Sequence, residues 1–162
     1  MLAVLKQTQD GYVACFERHL KHSVEQVWSY LVENDKLKKW FSELHVDDLR
    51  EGGVIKFDMH DGTFKELEIL ALTPHSVLEY TWGEDRVRFE LSPETDGCRL
   101  LLIETIHNLT DHTPKDLAGW HVCLDVIAAL LEDTTAEWHR SEWEERFKDY
   151  SQLVEGFRKN LP

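Results

Sequence analysis

The stretch TPKDLAGWHVCLDVIAALLE, residues 113–132, decides how the rest of the chain is arranged. It opens with Thr113 as a cap, Pro114 at the first helical position and Asp116 at the third, a strong pattern for a helix start. Leu117, Trp120, Leu124, Ile127 and Leu131 then recur at helical spacing, and Val126, Ala128 and Leu130 widen the stripe. A helix with so broad an apolar face is more buried than an ordinary surface helix. Upstream of it the period is two. Segments 43–49, 54–60, 64–72, 76–82, 86–91 and 99–107 alternate or are rich in β-branched and aromatic residues. In 86–91, Val87, Phe89 and Leu91 alternate with three charged residues, which turns one face inward. Turn chemistry separates these segments: Glu51-Gly52-Gly53, Asp61-Gly62, Thr73-Pro74, Gly83-Glu-Asp85 and the run 92–97. Short consecutive strands with turn-length links predict an antiparallel meander. There is no βαβ alternation and no internal repeat.

Further upstream, Asp10-Gly11 marks a turn and 12–20 reads as a strand. Ser23 and Gln26 have the spacing of a capping box, and the helix they open carries Val24, Val27, Trp28 and Leu31 on one face. Asn34-Asp35 reads as the cap of a second short helix with Leu37, Trp40 and Phe41. Downstream of Asp133-Thr134, Trp143, Phe147, Tyr150, Val154 and Phe157 recur in steps of four and three. That is a helix with a narrow apolar seam, covering either the body or a second copy of the chain. The expected fold is therefore α+β: a curved antiparallel sheet of about seven strands packed on a long C-terminal helix, with an extra helical tail. A single domain is expected over 1–162, with its core at about 11–132 and its tail at about 134–160.

Eighteen Lys and Arg against 31 Asp and Glu leave a net charge of −13 over 162 residues. Such a surface repels phosphate backbones and anionic headgroups, which argues against nucleic-acid or membrane partners. Cys15, Cys98 and Cys123 are scattered, odd in number and form no CxxC, as expected of a cytoplasmic protein with reduced thiols. The opening MLAVLKQTQD is too short an apolar run for a signal peptide, and no stretch is long enough to span a bilayer.

Phe16-Glu-Arg18, Val27-Trp28, Lys39-Trp40-Phe41, Gly52-Gly53 and Gly119-Trp120-His121-Val-Cys-Leu124 occur in an order and spacing that resemble the SRPBCC superfamily. Within it, the chain is most similar to the group related to the C-terminal domain of the activator of heat-shock-protein-90 ATPase. The resemblance runs roughly from Phe16 to Glu132. It implies a helix-grip fold, often with an apolar cavity between sheet and long helix, shared with lipid-transfer START domains, plant allergens and polyketide cyclases. It also implies a chaperone as a conceivable partner, although this chain has no room for the separate N-terminal domain of the eukaryotic co-chaperone. Fold alone does not fix activity.

Trp40, Phe41, Phe57, Met59, Tyr80, Trp82, Phe89 and Trp120 fall on elements that surround the space between sheet and helix. They are the candidate wall of a site for a small apolar or amphipathic molecule, or else ordinary core filling. Glu104 interrupts the apolar run of its strand, but both parities there are apolar, so spacing leaves its facing open. The usual exposure of glutamate places it in solvent; facing inward, it would have a raised pKa and could hold a polar ligand group. His107 is placed at the cavity mouth as a second polar contact. His19, His22, His112 and His121 have no HExxH or paired-Cys spacing, so neither metal nor cofactor is expected. His121 reads as a residue that packs or hydrogen-bonds beside Trp120. No serine lies in a GxSxG context, and no catalytic set is assigned; a cyclase- or hydrolase-like enzyme using Glu104 or His107 is the third reading, after a binding protein and a chaperone-associated module. Glu132, Asp133, Glu137, Glu142, Glu144 and Glu145 make the tail acidic, read as the solvated face of a helix packed on its own body rather than a dock for a basic partner. The chain is expected to be a monomer or a weak homodimer.

Overall fold

The computed structural model describes residues 1–134 and 138–159. The elements run in the order β1 (Val4–Thr8), β2 (Gly11–Leu20), α1 (Val24–Val32), α2 (Asn34–Trp40), β3 (Leu44–Asp48), β4 (Val54–Asp58), β5 (Phe64–Thr73), β6 (Val77–Trp82), β7 (Asp85–Glu94), β8 (Gly97–Ile106), α3 (Thr113–Leu131) and α4 (Arg140–Lys159). All eight strands form one sheet, ordered β1-β2-β8-β7-β6-β5-β4-β3, and every pairing is antiparallel. Consecutive strands from β3 to β8 are neighbours, as the short turns require. The order breaks only where β2 joins β8, after α1 and α2 have carried the chain across. This is the α+β helix-grip arrangement, with α3 against the inner face of the sheet.

Eight strands replace the seven expected. The additional one, β1, is an edge strand in which only Leu5 is buried while Val4 is exposed, so it carries no alternating signal. Two cap assignments also change. Glu33 precedes α2 without a side-chain bond, and Asn34 already lies inside the helix. Its amide instead grips the β3 backbone: Nδ2 donates to the Val46 carbonyl at 2.9 Å, and Oδ1 accepts the Val46 N–H at 2.7 Å. His112 occupies the cap position of α3, and Thr113 is its first helical residue. The Thr113 hydroxyl accepts the Thr110 N–H at 2.9 Å, closing the loop that leads into the helix. The Ser23–Gln26 capping box is present in full. The loop between β7 and β8 shrinks from the six residues expected to a two-residue turn at Thr95-Asp96. Pro93 is accommodated inside β7 because β6 pairs with β7 only as far as Glu90.

Helix α3 is buried on nearly every side because it lies between two layers. Leu117, Trp120, Leu124, Ile127 and Leu131 face the core with Ala118, Val122 and Val126. The seam of α4 covers the remaining side: Tyr150 and Val154 are buried, and Trp143, Phe147, Leu153 and Phe157 pack against the same core. Glu142, Glu144 and Glu145 are exposed. The expected acidic residue Glu137 lies outside the described residues. None of the described helices is long and apolar enough to cross a membrane.

Candidate functional site

On β8 every second residue from Cys98 to Ile106 is buried, and Glu104 sits on that inward row, 1% exposed. The solvent-facing expectation for Glu104 is therefore corrected. The sheet register explains why: its partners are Ala14 on β2 and Val87 on β7, both fully buried, so its row is the floor of the sheet's inner face. Among the described residues neither Glu104 oxygen has a hydrogen-bond partner. Burial pushes its carboxyl well above the usual carboxylate range; the Asp116 carboxylate, close enough to favour the protonated form by hydrogen bonding as well as by its charge, and the charge of Asp85 push it the same way. It is a buried acid, biased toward its neutral form, in the floor of a cavity.

That cavity has a volume of about 440 Å³ and lies between the start of α3 and the ends of β4 to β8. Phe57, Met59, Leu67, Trp82 and Ile106 supply its apolar wall; Asp85, Glu104, His107 and Asp116 supply polar groups. The two-residue Gly83-Glu84 turn, with Gly83 at φ +63°, sets Asp85 opposite Trp82 and beside the end of β8. There Asp85 accepts the His107 backbone N–H at 3.0 Å, and His107 Nδ1 lies 3.1 Å from the same oxygen. On the far side, Trp82 donates its indole N–H to Asp116 at 2.8 Å.

A second cavity of about 640 Å³ adjoins the first, under the α2–β3 connection and the beginning of the tail. Trp40, Phe41, Trp120, Cys123, Trp138 and Trp143 line it, while Phe57, Trp82, His112 and Asp116 line both. The shared wall is an aromatic cluster: Trp82 lies 4.9 Å from Trp120, 5.8 Å from Phe41 and 5.8 Å from Phe57 between ring centroids. Trp40 is fixed by its own indole N–H, which donates to the Tyr30 carbonyl at 2.8 Å. The Trp120 indole nitrogen is buried without a partner among the described residues.

A family model described as Activator of Hsp90 ATPase homolog 1-like protein matches residues 21–132. The chain belongs to this family. The matched span takes in α1 to α3, and so both sides of each cavity except for the tail residues Trp138 and Trp143. No curated protein matches the chain. Among solved structures, the conserved protein of unknown function EF2215 from Enterococcus faecalis superimposes with a TM-score of 0.85 at 23% identity, covering 95% of this chain and 91% of that one. CalU16 from Micromonospora echinospora gives 0.72 at 22% identity, over 94% and 95% of the two chains. The Aha1 dimer from Colwellia psychrerythraea gives 0.64 at 21% identity, over 74% of this chain and 96% of that one. At these identities the likeness is one of fold.

Within this fold of the Activator of Hsp90 ATPase homolog 1-like family, eight of the ten residues expected at a site line one cavity or both. Phe57, Met59, Trp82, Glu104 and His107 border the smaller, and Trp40, Phe41, Phe57, Trp82 and Trp120 the larger. Tyr80 and Phe89 border neither. Their rings are buried with centroids 6.3 Å apart and fill the core beneath the wall, which corrects their placement in it. Asp85 and Asp116 were not expected at the site. The first looked like a turn residue and the second like a helix-start acid, and those local roles account for both in the sequence. Only the strand order, which lays β7 beside β8, and the approach of α3 to β6 bring them together.

His121 stands apart from the cavities, on the α4 side of α3. Tyr150 accepts the Ala3 N–H at 2.9 Å, and its hydroxyl is hydrogen-bonded to His121 Nδ1 at 2.7 Å. With Tyr150 donating to Nδ1, the proton of the neutral ring is on Nε2, which lies 3.6 Å from Asp125. Burial lowers the His121 pKa to about 4, helped by the positive charges of Arg18, Arg146 and the N-terminus. Burial likewise raises the Cys123 thiol, so that cysteine is an inert wall residue. Among the described residues no three His, Cys, Asp or Glu side chains converge as a metal site.

Proposed function

We propose that this chain is a binding protein for a small apolar or amphipathic molecule, held between sheet and α3 in the 440 Å³ cavity. The observation that carries the reading is the floor of that cavity: a buried carboxyl group with neither oxygen bonded, under an aromatic wall. Leaving a buried polar group without a partner is costly, so its retention at the end of an apolar cavity is accounted for by a ligand that completes it. The volume suits a compact ligand, within the usual range for small-molecule sites. Three free thiols support a reducing compartment, and we assign the protein to the cytoplasm as one domain with its helical tail.

Native mass spectrometry tests this directly. A mass excess on the purified protein that is lost on denaturation supports the reading. NMR titration with fatty acids, sterols, flavonoids and polyketides extends the test: shifts confined to Trp82, Glu104 and their neighbours are expected. If none of these molecules moves those resonances, the reading fails.

The family description supports a second reading, an interaction module that works with a chaperone, as an Activator of Hsp90 ATPase homolog does by name. The exposed acidic residues Glu142, Glu144 and Glu145 on α4 are the surface it would use. Specific retention of a chaperone in a pull-down, lost on reversing those three charges, would favour it.

A further inference from the structure

The smaller cavity is unevenly charged. Among the described residues four carboxyl side chains line it, those of Glu84, Asp85, Glu104 and Asp116, and Lys65 is the one lysine or arginine that does so. Lys65 is an exposed residue of β5. Asp85 is already engaged with His107, and Asp116 accepts one bond from Trp82. Glu104, 1% exposed, has neither oxygen in a close hydrogen bond among the described residues, and the nearby Asp116 carboxylate is the one group placed to share the proton of its neutral form. Its strand neighbours Ala14 and Val87 are apolar and offer its side chain no donor. The aromatic rings of Phe57 and Trp82 border the same space.

We propose that the molecule held in this cavity carries a cationic amine, seated among Glu104, Asp116 and the ring of Trp82. The proposal rests on the binding reading above and names the chemistry of the head group. An ammonium group brings three donors and no acceptor, and so serves the free oxygens of Glu104 and the remaining capacity of Asp116 together. A hydroxyl brings one donor and leaves the charge of Asp116 unanswered. A carboxylate would enter against three neighbouring acids. The faces of Trp82 and Phe57 carry negative quadrupole charge, which attracts a cation and does nothing for an anion. Binding also moves a proton: the neutral Glu104 carboxyl gives its proton to solvent as the ammonium arrives, leaving a carboxylate–ammonium pair. No covalent bond forms or breaks in the ligand.

Three probes with one apolar body separate the alternatives: 4-phenylbutylamine, 4-phenylbutanol and 4-phenylbutyrate. Each is titrated into the full chain by calorimetry and by amide NMR, in two buffers of different ionisation enthalpy. The amine should bind at least about ten-fold tighter than the alcohol, with the butyrate weakest. It alone should release protons as it binds, seen as a dependence of the binding heat on the buffer. Glu104→Gln should weaken the amine about ten-fold or more and abolish the proton release, a larger loss than it causes with the alcohol. Asp116→Asn should weaken the amine and reduce its proton release only in part, since burial still holds Glu104 up. Equal binding of all three probes at the cavity would overturn the amine assignment and leave the binding reading standing. No shift at the cavity with any of them would overturn both.

Discussion

Trp82 on β6 and Asp116 on α3 are joined by an indole N–H to carboxylate hydrogen bond of 2.8 Å, and this pair is the partition between the two cavities. It is also a direct polar tie between sheet and long helix in a region otherwise packed by aromatic rings. Trp82→Phe keeps most of the ring and removes the donor, so it should cost about 1.5–3 kcal/mol, the range for a bond to a charged group. Asp116→Asn keeps an acceptor oxygen and should cost less, about 1 kcal/mol. Urea denaturation of the two single variants and the double variant measures the coupling. Simple additivity of the two losses would mean that the pair does not act as a unit.

Glu104 makes stability depend on pH in the direction opposite to most carboxylates. Its folded pKa lies well above the ordinary value of 4.5, so above pH 4.5 the folded chain holds a proton that the unfolded chain has given up. The stability tied to this group is thus complete below pH 4.5 and is lost as pH rises through the folded pKa. Glu104→Gln removes that loss while keeping the shape. Relative to wild type, the variant should gain stability as pH rises above 4.5. Parallel stability curves across that range would show that Glu104 ionises freely in the folded protein.

The double grip of Asn34 on Val46 joins α2 to β3, and so fixes the connection that roofs the larger cavity. Asn34→Ala strands both backbone groups of Val46, itself buried, and should cost about 1–3 kcal/mol. Asn34→Asp retains the acceptor but loses the donor, and should fall between alanine and wild type. Thermal unfolding gives the ranking; an aspartate variant weaker than alanine would contradict it.

The parts of the fold legible in the sequence are those whose signal is local and repeated. Val87, Phe89 and Leu91 alternate with charges and are all buried, and the α3 stripe is buried over its whole length. Strand β1 lacks such a signal, because a five-residue edge strand with one inward side chain has no period to read. Asn34 and Thr113 looked like caps because cap residues are recognised by type. What they bond is decided by Val46 and by the Thr110 loop, which no local pattern reports. The site has the same limit. Tyr80 and Trp82 share an inward parity on β6, yet only Trp82 reaches a cavity, since period two separates inside from outside and not wall from core. Glu104 stayed ambiguous because Leu101 and Ile103 make the outer row of β8 apolar as well. Its register with Ala14 and Val87 is a tertiary fact.

Tyr150 is the point where three separate parts of the chain meet: the N-terminal segment through the Ala3 N–H, α3 through His121, and α4 on which it lies. Tyr150→Phe keeps the packing and leaves a buried amide and a buried ring nitrogen bare, for a loss of about 1–3 kcal/mol. Because β1 is an edge strand held on one side only, this loss should appear first there. Hydrogen exchange at Ala3 and Leu5 should accelerate more than at the β8 core amides. The same network has a pH limit. With its folded pKa lowered to about 4 from 6.5, His121 takes a proton on Nδ1 only by reversing its bond with Tyr150, whose hydroxyl must then accept. Between those values the unfolded chain binds the proton more readily, so this contribution is complete above pH 6.5 and is lost as pH falls toward 4, on the order of 3 kcal/mol in all. His121→Gln should flatten the acid side of the stability profile between pH 6.5 and 4. An unchanged slope there would show that other groups govern acid unfolding and that the His121–Tyr150 pair is only a packing contact.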